Sequence, residues 1–247
     1  MSLIRAEGLD VVVEATGSPA AAVRHCVESL RRGPHVVMVT VEADVVAGPA
    51  LARRARAQGV VYSLGYGDPP ALVCELVDWA RVCGFEVICA GKGTRSLPHY
   101  HFVTPDEVWD HYGLPPELVQ RGDLNARMFT SFLDGTKSAV EMAAVANATG
   151  LVPQREGLRF PPCGARPPAS PSSGWRWRSG TCGRGRPWTA RGCTVYGRLL
   201  PSQQADGQEA LPVGLGPGVP VRKPVHAGQV VRLHDVELDV SQELVQL

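Results

Sequence analysis

The stretch DVVVEATGSPAAAVRHCVESLRRGPHVVMVTVEAD, residues 10–44, decides the fold. Asp10 to Ala15 is a short β-branched run that ends on Thr16-Gly17-Ser18-Pro19, which reads as a buried strand, a turn, and a helix with proline in its first turn. The helix is expected from about Ala20 to Arg32, with Val23, Cys26, Val27 and Leu30 on one face and Gly33 stopping it. His35 to Val41 is a second aliphatic run, so a strand, a crossover helix and a strand follow one another.

The unit repeats downstream. Ala47 to Gln58 has a helical pattern and Val60 to Leu64 is a third short strand. Such β-α-β-α-β alternation implies a parallel sheet. Near-continuous hydrophobic strands are what a sheet covered by helices on both faces requires, so a doubly wound architecture is expected. After the turn-forming Gly65-Tyr66-Gly67-Asp68-Pro69-Pro70, a helix over 71–82 leads to a fourth strand, Phe85 to Ala90, ending on Gly91-Lys92-Gly93-Thr94. Leu97 to Tyr112 is polar and aromatic with three histidines, a loop shaped for a site. Asn125 to Thr149 is helical again, with Gly135 marking a break into two helices and Gly150 closing the second.

Beyond Phe160 the character changes. Residues 164–192 are built from Arg, Gly, Pro, Ser, Thr and Trp with no acidic residue, too little apolar surface to offset the entropy of ordering, so disorder is expected. Short extended pieces return near Cys193 and continue to Leu238, separated by Gly and Pro, suggesting a small β-rich module. Four segments result: 1–65, 66–162, 163–192 and 193–247.

Bulk properties exclude several classes. A net charge of +1 over 247 residues gives no global field to recruit nucleic acid or anionic membrane. Arg24, Arg31, Arg32, Arg53, Arg54 and Arg56 read as solvated faces of crossover helices. The longest apolar runs reach only about half of the roughly 20 residues that cross a bilayer. The opening MSLIRAEGLD carries no signal core, so a cytoplasmic location is expected. Seven cysteines without CxxC or zinc spacing fit reduced thiols, and Cys74, Cys83 and Cys89 are expected to be buried small hydrophobes. No metal is assigned.

Residues 10–44 resemble the second half of the nucleotide-binding domain of homoserine-dehydrogenase-like oxidoreductases, where a strand ending in E-A-T-G precedes a helix and a strand that enters the active site. YGDPPALVCELVDWARVCGFEVICAGKGT, residues 66–94, and LDGTKSAVEMAAVANATG, residues 133–150, resemble a bacterial branch of that class with a C-terminal SAF domain. GLGPGVPVRKPVHAGQVVRLHDVEL, residues 214–238, is similar to the second half of such SAF modules. The resemblance implies an α/β protein: a partial Rossmann-type sheet, an α+β catalytic region and an SAF-like β-rich module. It also implies an NAD(P)-dependent oxidoreductase acting on a small polar alcohol or carbonyl.

Two departures accompany it. Such relatives carry a G-x-G-x-x-G turn for the pyrophosphate and an acidic residue for the ribose, and neither occurs in Met1 to Leu9. The Gly-rich residues 180–185 follow no aliphatic strand and are no substitute. The second strand ends in Thr40-Val41-Glu42 instead of Asn-Lys, so homoserine itself is not the expected substrate. The Arg/Gly/Pro/Trp run interrupts the catalytic region near residue 163, as a deletion or frame error would.

The candidate site residues follow. Lys92, between two glycines past a strand end, is either a substrate-facing acid/base or a solvated loop lysine. Asp134, Lys137 and Glu141 stand at helical spacings and form either a relay or a surface ion-pair array. The family block DGTKSA, residues 134–139, brings catalysis by Asp134 and Lys137 level with the surface-array reading; the catalytic candidates are Lys92, Asp134 and Lys137, with Glu141 on the substrate. His99 and His101 are substrate contacts or loop surface. Ala15, Thr16, Gly17, Ser18, Thr40 and Glu42 would line the nicotinamide side of a cleft for NAD or NADP, or serve only as strand-end turns. The alternative to an enzyme is a non-catalytic chain serving as an oligomerisation surface or substrate-side subunit.

Overall fold

The computed structural model describes residues 3–93, 98–153, 200, 202–216, 218–226 and 229–242. Three strands, β1 (Val11–Glu14), β2 (His35–Met38) and β3 (Tyr62–Leu64), pair in parallel in the order β1-β2-β3. Val12 lies beside Val36, Glu14 beside Met38, and Val37 beside Ser63. The crossover helices are α1 (Pro19–Arg32) and α2 (Val41–Ala57). Pro19 occupies the first turn of α1, and Gly33, at φ +103°, ends it by donating its N–H to the Ser29 carbonyl.

Both crossovers lie on one face, because right-handed connections between consecutive neighbouring strands deliver their helices to the same side. Val36 and Met38 are therefore fully buried beneath Val23, Val27, Leu30, Ala47 and Leu51. The opposite face carries Val11, Val13, Val39 and Val61, all exposed. The expected double winding is thus corrected for the described residues. The fold is mixed α/β with a small three-stranded parallel sheet, consistent with a partial Rossmann-like arrangement.

Helix α2 starts six residues before the expected Ala47. Glu42 and Asp44 sit in its first turn, where carboxylates suit the positive helix end. Pro49 lies inside the helix and supplies no N–H for the carbonyl of Val45. The Asn147 side chain donates to that carbonyl instead, at 3.1 Å. A partner helix thus makes an internal proline tolerable.

That partner is α7 (Thr136–Thr149), which packs on α2 and on α3 (Pro69–Val82). Before it run α4 (Val108–Tyr112), α5 (Pro116–Arg121) and α6 (Ala126–Leu133). Asn125 caps α6 by accepting from the Met128 N–H at 3.2 Å. Gly135, at φ +86°, separates α6 from α7, as expected from the sequence. Tyr100, Val108, Leu133, Trp109 and Phe129 form a small aromatic core here.

Phe85 to Ala90 is not a strand: the segment joins no ladder among the described residues, and Phe85 and Ile88 are exposed. Its β-prone composition finds no partner edge among the described residues. Cys83 and Cys89 are likewise exposed, against the expectation of burial, while Cys74 is half-buried. The low-complexity segment 163–192 lies outside the described residues. C-terminal to it come α8 (Ser202–Gly207) and two isolated antiparallel bridges, Ala210 with Arg232 and Val221 with Val236. Leu211, Val221, Val225 and Val236 bury one another there. No described helix is long and apolar enough to cross a membrane.

Candidate active site

Helix α7 carries two of the predicted site residues, Lys137 and Glu141. Its face places Lys137 and Glu141 one turn apart, and each reaches an opposite charge from elsewhere in the chain. Glu141, buried, forms an ion pair with Lys92. Lys92 arrives there because Gly91 passes close to α7: a Cβ on Gly91 would lie 3.3 Å from Met142 Sδ. Close approach, not an unusual φ, is the reason for this glycine. Lys137 Nζ stands 3.7 Å from Glu42 Oε1 in the first turn of α2. The lysine expected on the catalytic side and the glutamate expected on the cofactor side therefore meet.

Asp134 is not on the α7 face. It closes α6, and its carboxylate accepts the Thr136 N–H at 2.8 Å across the Gly135 break. Burial pushes its carboxyl up to about 6, although the bonds from Thr136 oppose the rise. His101 lies half-buried, and burial lowers its pKa, with the Asp134 main chain offsetting part of the effect. In place of the shared helix face expected of Asp134, Lys137 and Glu141, whether as relay or as surface array, there are two lysine–glutamate pairs at α7, and Asp134 closes α6. His99 lies in the one-turn helix Pro98–Phe102 that also carries His101.

At the strand ends Ala15, Thr16, Gly17 and Ser18 form the exposed turn between β1 and α1. Gly17 has φ +70° and open space above it. Its N–H donates to Thr40 Oγ1 at 3.1 Å, and the Thr40 hydroxyl donates to Glu14 Oε2 at 2.6 Å. Thr16 donates to Glu14 Oε1 at 2.6 Å, and His25 Nδ1 stands 3.3 Å from the same oxygen. Burial would raise the Glu14 carboxyl, but the bonds from Thr16, Thr40 and His25 together hold it below the usual carboxylate range. Glu14 and His25 were absent from the sequence-derived site. The available signal was an acidic residue closing an otherwise aliphatic strand, VVVE.

Thr40 joins the two clusters. Its hydroxyl belongs to the Glu14 network, and its carbonyl accepts the Ala43 N–H at 2.9 Å at the start of the helix that carries Glu42. The carboxyl ends of β1 and β2, the first turn of α2 and the face of α7 thus border one polar region. This is where open parallel sheets place ligands.

Residues 67–173 match the family model described as the catalytic domain of the oxidoreductase DRL. The match holds Lys92, His99, His101, Asp134, Lys137 and Glu141, while all three strands precede it. That match supports a general oxidoreductase function. No curated protein matches the chain.

Proposed function

We propose that this chain is part of an NAD(P)-dependent oxidoreductase that interconverts a small polar alcohol and its carbonyl, of homoserine-dehydrogenase-like type, with an SAF-like module at 193–247. The reading rests on one observation above the others: the Lys92–Glu141 pair, its carboxylate buried, inside the segment similar to an oxidoreductase catalytic domain. A cytoplasmic location and a homo-oligomeric state belong to the same proposal.

The strand-end residues fit one end of a dinucleotide. Open space over Gly17, beside the hydroxyls of Thr16 and Thr40, suits an uncharged nicotinamide amide. The nearby Glu14 carboxylate would repel a pyrophosphate. Thr16, Gly17, Thr40 and Glu42 would hold the nicotinamide end, which supplies or takes the hydride.

In the reducing direction, Lys92 Nζ would donate a proton to the carbonyl oxygen, and a bound nicotinamide would supply the hydride. In the oxidising direction, the hydroxyl proton leaves by the same path, toward Lys92 Nζ. Glu141 orients Lys92, and Lys137 with Glu42 aligns α7 against the strand ends. His101 contacts the polar body of the substrate, and the His99 side chain lies outside the described set.

A saturable rise in melting temperature with NADH or NADPH is expected, since binding only the folded state stabilises it. Lys92→Ala should keep that rise and abolish turnover of small polyols. Unchanged turnover in the variant would reject the assignment. A second reading, a non-catalytic chain with an oligomerisation surface, is favoured by the bare valine face of the sheet. It predicts no shift with either nucleotide, the outcome that separates it from the first reading.

A further inference from the structure

A cleft of about 750 Å³ opens between α2, β3, α3 and the end of α7. That volume lies within the range of small-molecule sites, roughly 300–1,000 Å³. None of Lys92, Asp134, Lys137 or Glu141 lines it. Its walls are largely apolar, with Pro49, Ala52, Leu64, Trp79 and Val82 among them. Three carboxylates also line it, Asp44, Glu75 and Asp78, and among the described residues no Lys, Arg or His does.

Asp44 is the informative one. It is only 6% exposed, and one carboxylate oxygen accepts the Tyr62 hydroxyl at 2.8 Å. The other has no hydrogen-bond partner among the described residues. Gly48, one turn further along α2, makes room for this arrangement, because a Cβ there would overlap the Asp44 carboxylate. At the mouth, Tyr66 donates to Glu75 at 3.1 Å. A buried, half-satisfied carboxylate in an apolar cleft without counter-charge is completed by a charge-assisted donor.

We propose that this cleft binds a small organic cation, a primary amine on an aromatic or aliphatic body, with its ammonium on the free oxygen of Asp44. Glu75 and Asp78 attract the cation to the mouth, and Trp79 and Leu64 cover its apolar part. Burial lifts the Asp44 carboxyl to about 6, against the pull of the Tyr62 hydroxyl, so near neutral pH it is mostly ionised and ready for an ammonium. The inference stands apart from the redox chemistry, since none of the acid/base residues takes part.

Calorimetry on the full chain without nucleotide tests it, using phenethylamine, 2-phenylethanol and 3-phenylpropionate as probes. The amine is expected to bind at least about tenfold more tightly than the alcohol, and the carboxylate more weakly than either. Asp44→Asn, which keeps an acceptor for Tyr62, should erase the preference for the amine. Cys74 also lines the cleft, whereas the exposed Cys83 does not. Phenethylamine should therefore slow alkylation of Cys74 by iodoacetamide and leave Cys83 unchanged, a readout that needs no variant. Equal binding of amine and alcohol, no binding of any probe, or binding without protection of Cys74 would overturn the proposal.

Discussion

Asp134 carries a titration whose sign is set by burial. Its carboxyl moves from the usual 3.8 to about 6 in the folded protein. The native state therefore holds its proton in a window where the unfolded chain has lost it. Stability from this group is full below pH 3.8, falls as pH rises toward about 6, and stays lower above. A rise of that size corresponds to roughly 3 kcal/mol. Asp134→Asn retains an acceptor for the Thr136 N–H and should flatten this part of the pH profile, raising the melting temperature at pH 7 relative to the parent. Thermal melts from pH 4 to 7 check it; parallel profiles for the two proteins would mean that Asp134 is not the source. Glu14 acts in the opposite sense, because its carboxyl is held low: its contribution is present above the unfolded value and lost on acidification. At this scale the residue types were legible in the sequence, and Lys92, Asp134, Lys137 and Glu141 could be singled out. Their partners were not, because Lys92 meets Glu141 and Lys137 meets Glu42 from segments far apart in the chain.

The join between α6 and α7 shows how an element boundary sets the site. Gly135 holds a left-handed φ of +86°, a conformation that costs an L-residue roughly 1–2 kcal/mol. Gly135→Ala should lower stability by about that amount. It should also displace Lys137 and Glu141 relative to Lys92, lowering turnover more than nucleotide affinity. Chemical denaturation and steady-state kinetics together test this; a fully stable, fully active variant would remove Gly135 from any positioning role. This break was legible, since glycine inside a helical pattern is a local signal. The start of α2 was not, because Pro49 is tolerated only through the Asn147 side chain donated by α7. The strand expected at 85–90 failed for a related reason: β propensity describes a willingness to pair, and no neighbouring edge among the described residues accepts it.

Over the whole molecule, the three-stranded sheet has one covered and one open face. Val36, fully buried, and Val13, 63% exposed, have the same side chain and opposite environments. Val36→Ala should destabilise by about 1–3 kcal/mol, the cost of a cavity in a packed core. Val13→Thr should stay within roughly 0.5 kcal/mol. Urea unfolding of the two variants distinguishes them, and an equal loss would mean that the open face is covered in solution. In that event the interface reading of this sheet gains weight, because a contiguous exposed apolar patch marks an interaction surface.

The sequence by itself determined the parallel βαβαβ order, the helices α1 and α3, the break at Gly135 and the residue types of the candidate site, all written in local periodicity and turn chemistry. Only the tertiary structure decided that both crossover helices share one face, that Glu14 and His25 belong to the strand-end network, and that Lys92 pairs with Glu141. The physical reason is range. A hydrophobic period or a glycine acts on its own few residues, whereas burial, ion pairing and strand pairing depend on a second segment that the first does not encode.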